Sequence, residues 1–225
     1  MKILVNACIA VVVMSSIAFG SVVQGEPKTI LVLGDSLSDG FMLKRSEAYP
    51  ALVSKKLGAV GLNFQVINAS ASGGTTEGGL ERLPAHLKHR IDILILELGI
   101  NDAFRGLPID LIEGNLQRII DMVRQRNPNV RVLIAGLELP GHTAADYVSA
   151  FGKMFADLAA KNRAALVPYL LEGVAGNPSL NLSDGIHPNA AGQQILAENV
   201  WRILKPLAHE VAQRSGSSHE PPQGD

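Results

Sequence analysis

The sequence predicts one α/β domain in which helices cover both faces of a mainly parallel, five-stranded sheet, a three-layer α/β/α sandwich. Five short, continuous apolar runs support the sheet, because strands that are buried on both faces need no polar side. These runs span residues 29–33, 64–67, 91–98, 130–136 and 165–169. Segments with helical spacing separate them, and strands that alternate with helices are typical of parallel sheets.

Five segments that follow these runs are predicted to be helices. In the clearest one, residues 108–126, the apolar side chains form a single stripe with a period of about 3.6 residues. They are Leu111, Ile112, Leu116, Ile119, Ile120 and Val123. Pro108 suits the first turn of this helix, and the Asn127-Pro128 pair suits its end. The other predicted helices are 48–57, 79–89, 144–161 and 189–212.

The first 25 residues have the composition of a secretory signal. Lys2 gives a basic start, an apolar run follows, and small residues come after it. We expect cleavage after Gly20 or Gly25 and export across the inner membrane, to the periplasm if the source is Gram-negative, with no stable membrane anchor left. An uncleaved anchor is the alternative, since the apolar run at 3–19 is near the lower length limit for spanning a bilayer.

The domain is expected to occupy residues 26–212, and a disordered tail rich in Ser, Gly and Pro is expected at 213–225. Cys8 is the only cysteine, so the cleaved chain would form no disulfide and use no thiol chemistry. The formal net charge is −1 and no basic stripe is present, which argues against binding of nucleic acid. We expect a monomer.

Four polar clusters lie where a parallel sheet places its ligands. They are GDS at 34–36, NASASGGT at 68–75, GIND at 99–102 and DGIHP at 184–188. The first three follow predicted strands, and the fourth precedes the last predicted helix. Because ligands of such sheets bind outside the carboxyl ends of the strands, we expect the four clusters to meet in one crevice.

The residues in these clusters fit catalysis by a serine nucleophile. The Ser36 hydroxyl needs a base to remove its proton, and His187 supplies an imidazole, which exchanges protons readily near neutral pH. Asp184, three residues earlier, would orient that imidazole and stabilise its charged form. The backbone N–H groups of Ser36 and Gly73 and the side-chain amide of Asn101 are candidate donors to an oxyanion.

Each cluster also has a purely structural interpretation. Ser36 could cap a helix, Gly73 could belong to a plain turn, and Asp184 with His187 could cap the last helix. Position 38 is Ser rather than Gly, so there is no G-x-S-x-G elbow, which argues against an α/β-hydrolase.

The four clusters together resemble the sequence blocks of the GDSL, or SGNH, hydrolases, which are named for Ser, Gly, Asn and His. Here these are Ser36 in GDSLSDG, Gly73 in ASGGTT, Asn101 in GIND and His187 in DGIHP. The resemblance covers residues 29–208 and implies a flavodoxin-like fold without metal or cofactor. It also implies hydrolysis of acyl esters or thioesters through an acyl-Ser36 intermediate, as in the esterases, arylesterases, thioesterases and lysophospholipases of this family. Gly74 departs from the resemblance, which leads us to expect Asp.

The resemblance further implies a substrate loop that closes over an acyl chain just after Asn101. The predicted substrate-binding residues are Phe104, Arg105, Gly106, Leu107, Leu139, Pro140 and His142. An ordinary connection between two elements is the alternative for the first four. Two other functions remain open, a carbohydrate O-deacetylase of the same fold and a catalytically silent binding module. The apolar Phe104 and Leu107 favour acyl chains over sugars.

Overall fold

The computed structural model describes residues 26–140 and 144–214. Within them, one sheet has five strands: β1 (Lys28–Gly34), β2 (Phe64–Asn68), β3 (Ile93–Glu97), β4 (Arg131–Ala135) and β5 (Ala165–Val167). Their order is β2-β1-β3-β4-β5, and every neighbouring pair is parallel. The predicted fold class is therefore confirmed.

Seven helices connect or follow these strands in the described part of the chain. They are α1 (Ser36–Asp39), α2 (Tyr49–Ala59), α3 (Thr76–His86), α4 (Ile100–Phe104), α5 (Ile109–Arg126), α6 (Ala145–Asn162) and α7 (Ala190–Gln213). Helix α2 packs against α7, and α5 packs against both α3 and α6. Helices α2 and α7 thus form one group, and α3, α5 and α6 form the other. The chain runs from β1 outward to β2 in one direction and then back across the sheet to β3, β4 and β5 in the other. Because crossovers between parallel strands are right-handed, the two groups of helices lie on opposite faces of the sheet.

The short helices α1 and α4 were not predicted from the sequence. Each has fewer than two turns, which is too short for an apolar stripe to appear. Both begin just after the carboxyl end of a central strand, so they carry the first and third polar clusters. Helix α3 also begins three residues earlier than predicted, because the Thr75 side chain accepts the Gly78 N–H (3.1 Å) and caps it.

Burial follows the order of the strands. All five residues of β3 are buried in the centre of the sheet, as predicted for a strand covered on both faces. Strand β2 lies at the edge, and its residues are only partly buried or exposed, so the expectation of full coverage is wrong there.

Helix α7 ends at Gln213, one residue into the segment that was predicted to be a disordered tail. Residues 215–225 and the predicted signal at 1–25 lie outside the described residues. No helix in the described ranges is long and apolar enough to cross a bilayer.

Candidate active site

Ser36 is the first residue of α1, directly beyond the carboxyl end of β1. Asp35, and not Ser36, caps this helix: its Oδ1 accepts the Leu37 N–H at 3.0 Å. The structural interpretation of Ser36 as a helix cap is therefore wrong. Gly40 ends the helix with a φ of 79°, a left-handed conformation that glycine adopts at little cost. The Ser36 hydroxyl is thus left available for a partner outside its own helix.

That partner is His187, whose Nε2 lies 3.0 Å from Ser36 Oγ. The other ring nitrogen, Nδ1, lies 2.7 Å from Asp184 Oδ2. Asp184 Oδ1 accepts the backbone N–H groups of Ile186 (2.9 Å) and His187 (3.0 Å), which closes a tight turn. Helix α7 is capped by Asn189 instead, so Asp184 and His187 do not serve as its cap.

The electrostatics of this turn keep Asp184 ionised. The hydrogen bond from the His187 ring, followed by the backbone N–H groups of His187 and Ile186, lowers the pKa of Asp184 to about 2. A carboxylate that stays charged at neutral pH can stabilise an imidazolium on His187.

Phe41 packs its ring on His187, with 4.4 Å between the ring centroids and 37° between the planes. Its backbone N–H donates to the Ser36 carbonyl at 3.1 Å. The turn that ends α1 therefore also places the Phe41 ring against the imidazole. Sequence reasoning missed this residue. The one available signal was an aromatic directly after the glycine that ends the Ser36 block.

The three predicted oxyanion donors follow the carboxyl ends of neighbouring strands: Ser36 begins α1, Gly73 lies in the loop before α3, and Asn101 is the second residue of α4. Gly73 has a φ of 73°, and no hydrogen bond between described residues uses its backbone N–H or that of Ser36. Asn101 Nδ2 donates to Asp35 Oδ2 and to the Gly74 carbonyl, both at 3.1 Å. Asn101 therefore ties together the residue before Ser36 and the residue after Gly73. Its Nδ2 thus has two acceptors in place, and an oxyanion would share or replace one of them.

Residues 32–195 match the model of the GDSL-like lipase/acylhydrolase family. The chain belongs to this family. It is therefore an enzyme, a hydrolase of the GDSL type, as the four sequence blocks predicted.

Two curated relatives of this GDSL hydrolase have moderate identity along most of their length. Esterase TesA of Pseudomonas aeruginosa is 38% identical over 206 residues, which are 91% of this chain and 98% of that protein. Thioesterase 1/protease 1/lysophospholipase L1 of Escherichia coli (strain K12) is 37% identical over 182 residues, which are 80% of this chain and 85% of that protein. A crystal structure of TesA superposes with a TM-score of 0.76 and 41% identity, covering 80% of this chain and 99% of that one.

In this GDSL hydrolase, a buried carboxyl group accepts hydrogen bonds from the start of the Ser36 helix. Glu97, the last residue of β3, is fully buried, and its Oε2 accepts the Ser38 hydroxyl at 2.6 Å and the Asp35 N–H at 3.2 Å. The Tyr49 hydroxyl lies 2.8 Å from the same Ser38 Oγ. Sequence reasoning missed Glu97, although an acid at the end of an otherwise apolar strand was a visible signal.

The predicted substrate loop of the GDSL hydrolase has one exposed apolar tip. Phe104 ends α4 with 55% of its surface exposed, and Gly106 has a φ of 72°. Leu107 is half-buried, and its carbonyl accepts the Tyr147 hydroxyl at 2.6 Å, which ties this end of the loop to α6. The Arg105 guanidinium lies 3.4 Å from the Gly73 carbonyl, so the loop touches the predicted oxyanion segment.

The second predicted substrate segment of the GDSL hydrolase is described only in part. Pro140 is exposed, whereas Leu139 is buried and has little surface to offer a ligand. His142 lies outside the described residues. Ile186, next to His187, is 57% exposed and is an apolar neighbour of the site that sequence reasoning missed. Among the residues described, no group of three His, Cys, Asp or Glu side chains could hold a metal ion.

Proposed function

We propose that this GDSL hydrolase cleaves acyl esters and thioesters through an acyl intermediate on Ser36, with His187 as base and Asp184 as its orienting acid. One observation carries the proposal: His187 Nε2 lies 3.0 Å from Ser36 Oγ while Asp184 holds Nδ1 at 2.7 Å. A nucleophile within hydrogen-bonding reach of a base, which a third group orients, is the arrangement that activates a serine.

In the first half of the reaction, Ser36 Oγ forms a bond to the acyl carbon while its proton moves to His187 Nε2. The bond from that carbon to the leaving oxygen or sulfur then breaks, and the leaving group takes the proton from His187. In the second half, a water molecule gives a proton to His187 and its oxygen to the acyl carbon. Ser36 leaves with that proton, and the carboxylic acid is released.

The negative charge that develops on the acyl oxygen needs donors that are in place beforehand. We assign this role to the backbone N–H groups of Ser36 and Gly73, which have no other acceptor among the described residues, and to Asn101. The left-handed φ of Gly73 supports this assignment, because it turns the peptide plane in a way that other residues adopt only with strain.

The substrate class follows from the apolar surface near the site. The exposed side chains of Phe104 and Ile186 offer contacts to a hydrocarbon chain and few hydrogen-bonding partners to a sugar. The relatives named an esterase and a thioesterase support ester and thioester bonds as the ones cleaved. We therefore favour acyl chains longer than acetyl over acetylated carbohydrates.

Ser36→Ala tests the nucleophile. Hydrolysis of p-nitrophenyl esters should fall by a factor on the order of 10⁴–10⁶, because a triad without its nucleophile retains only the contribution of binding and of the oxyanion donors. A fluorophosphonate should add one phosphonyl group to Ser36 in the wild type and none in the variant, as read by peptide mass spectrometry. Ser149→Ala, an exposed serine of α6, is the matched control.

Near wild-type hydrolysis by a folded Ser36→Ala protein would refute the mechanism, and an unlabelled wild type would favour a silent binding module. The substrate class has its own measurement, a series of p-nitrophenyl esters and acyl-CoA thioesters of increasing chain length set beside acetylated sugars. Strict preference for acetyl groups on sugars would overturn the assignment to acyl chains.

A further inference from the structure

Glu97 places a carboxyl group in the protein interior directly under the Ser36 helix. Its Oε2 accepts two hydrogen bonds, from the Ser38 hydroxyl and from the Asp35 N–H. Its Oε1 is buried and has no donor partner among the described residues. An ionised carboxylate with one unsatisfied oxygen is costly in such a place, whereas a protonated oxygen needs only an acceptor.

The candidate acceptor is the carboxyl group of Asp35, whose backbone N–H donates to Glu97 Oε2 at 3.2 Å and whose charge acts on Glu97. Asp35 is the better anion of the two, because each of its oxygens accepts a hydrogen bond, from the Leu37 N–H and from Asn101 Nδ2, whereas Glu97 Oε1 accepts none from a described residue. Burial, helped by the charge of Asp35, raises the pKa of Glu97 well above its usual range. Burial also raises the pKa of Asp35 to about 6, and the hydrogen bonds from Leu37, Glu97 and Asn101 limit that rise.

The charged groups around Asp35 and Glu97 can balance a single negative charge on this pair of carboxyl groups. The half-buried guanidinium of Arg82, from α3, donates to the carbonyls of Ala69 (3.0 Å) and Gly34 (2.6 Å), and its positive charge acts on both acids. The phenol of Tyr49, from α2, adds no charge: it is neutral at pH 7, and burial raises its pKa further. His187 acts on Asp35 from the side of the crevice.

The lack of a side chain at Gly34 leaves room for the Glu97 carboxyl group. A Cβ at Gly34 would lie 2.6 Å from Glu97 Oε2 and 2.5 Å from Ser38 Oγ, distances that real Cβ atoms essentially never show. The space beside the Ser36 helix is therefore shaped around the acid and its hydroxyl partner.

We propose that Glu97 is a positioning residue that keeps its proton at neutral pH and shares it with Asp35, which then stays ionised and holds Asn101 beside Ser36. This inference rests on the proposed function. The proton has a second effect. Because a negative charge develops near Asn101 in the transition state, an ionised Glu97 would add a second anion behind Asp35 and raise the barrier.

Two variants, Glu97→Gln and Glu97→Met, distinguish the effect of the shared proton from the effect of side-chain packing. Gln keeps the donor to Asp35 and the acceptor for Ser38, so kcat should stay within about threefold of the wild type. Met has a similar volume but no polar group, so it also removes the acceptor of the Ser38 hydroxyl and the Asp35 N–H. We expect kcat to fall about 10–100-fold, the effect of losing the one hydrogen bond that reaches the charged Asp35, while KM changes less than about twofold.

The pH profile is the readout that a packing defect would not move. Without the hydrogen bond from Glu97, Asp35 holds its proton to higher pH, so the acid limb of kcat in Glu97→Met should shift to higher pH. Asp92→Leu is the matched control, because Asp92 is a buried acid that accepts the Thr29 N–H at the opposite end of the sheet. It should lower the melting temperature and leave the acid limb in place.

Infrared difference spectra of wild type minus Glu97→Gln read the proton directly. At pH 7 they should contain the carbonyl band of a protonated carboxylic acid, and this readout needs neither activity nor a folded Met variant. A carboxylate band in its place would overturn the proposal. So would a Gln variant as slow as the Met variant, or a Met variant whose acid limb coincides with the wild type. Failure of the proposed function would appear separately, as a wild type without a fluorophosphonate adduct on Ser36.

Discussion

Asp184 holds both the ring and the backbone of His187. Its Oδ2 lies 2.7 Å from Nδ1 of the ring, and its Oδ1 accepts the His187 backbone N–H at 3.0 Å. A separation of three residues makes this double contact possible, because a side chain can reach the backbone two or three positions ahead in a tight turn. One carboxylate therefore shapes the loop and orients the imidazole.

Asp184→Asn should lower kcat about 10³–10⁴-fold with a KM within a few-fold of the wild type. The amide oxygen can still accept the backbone N–H groups, so the turn persists, but the amide cannot stabilise an imidazolium and can favour the wrong tautomer. Steady-state kinetics with a p-nitrophenyl ester, beside circular dichroism, measure both effects. Asp110→Asn, an exposed acid in the first turn of α5, is the control. A variant that keeps more than a tenth of the activity would contradict the role given to Asp184.

Asn101→Ala should lower kcat about 10²–10³-fold, the usual loss for one oxyanion donor, with little change in KM. Asn101→Asp should be at least as slow, because it keeps the shape but places a carboxylate beside Asp35 and the developing charge. Asn129→Ala, an exposed loop residue, should behave as the wild type. If Asn101→Ala raised KM and left kcat unchanged, the amide would bind substrate rather than the transition state.

Gly74→Asp tests the position at which the chain departs from its family resemblance. A Cβ there would lie 2.7 Å from the Ala71 carbonyl and 3.0 Å from Arg82 Nη2. The carbonyl is backbone and already accepts the Gly74 N–H at 2.9 Å, so it has little freedom to move. We expect Gly74→Ala to lower the free energy of unfolding by about 1–3 kcal/mol, as overpacking does.

The aspartate should recover part of that loss, because its carboxylate would face the guanidinium of Arg82. The difference between the Gly74→Asp and Gly74→Ala proteins in urea unfolding isolates the ion pair from the steric effect. If the Gly74→Asp protein were more stable than the wild type, the loop would accommodate the side chain, and the predicted steric cost at position 74 would be refuted.

The sheet and the four polar blocks were predictable because each depends on a short stretch of sequence. Buried strands such as β3 are continuous apolar runs, and a parallel sheet brings their carboxyl ends to one edge wherever its helices pack. The helices α1 and α4 were not predictable in this way, since four or five residues show no period. The edge position of β2, and its partial exposure, depended on the order of the strands.

Local sequence by itself determined which side chains could supply a nucleophile, a base and an acid, because each lies in a short polar block directly after a predicted strand or before the last predicted helix. Only the tertiary structure decided how they are held. The contacts of Ser38 with Glu97 and of Asn101 with Asp35 join residues that are 59 and 66 positions apart. Contacts at such separations form only when the sheet brings β1 and β3 side by side, so no local pattern encodes them.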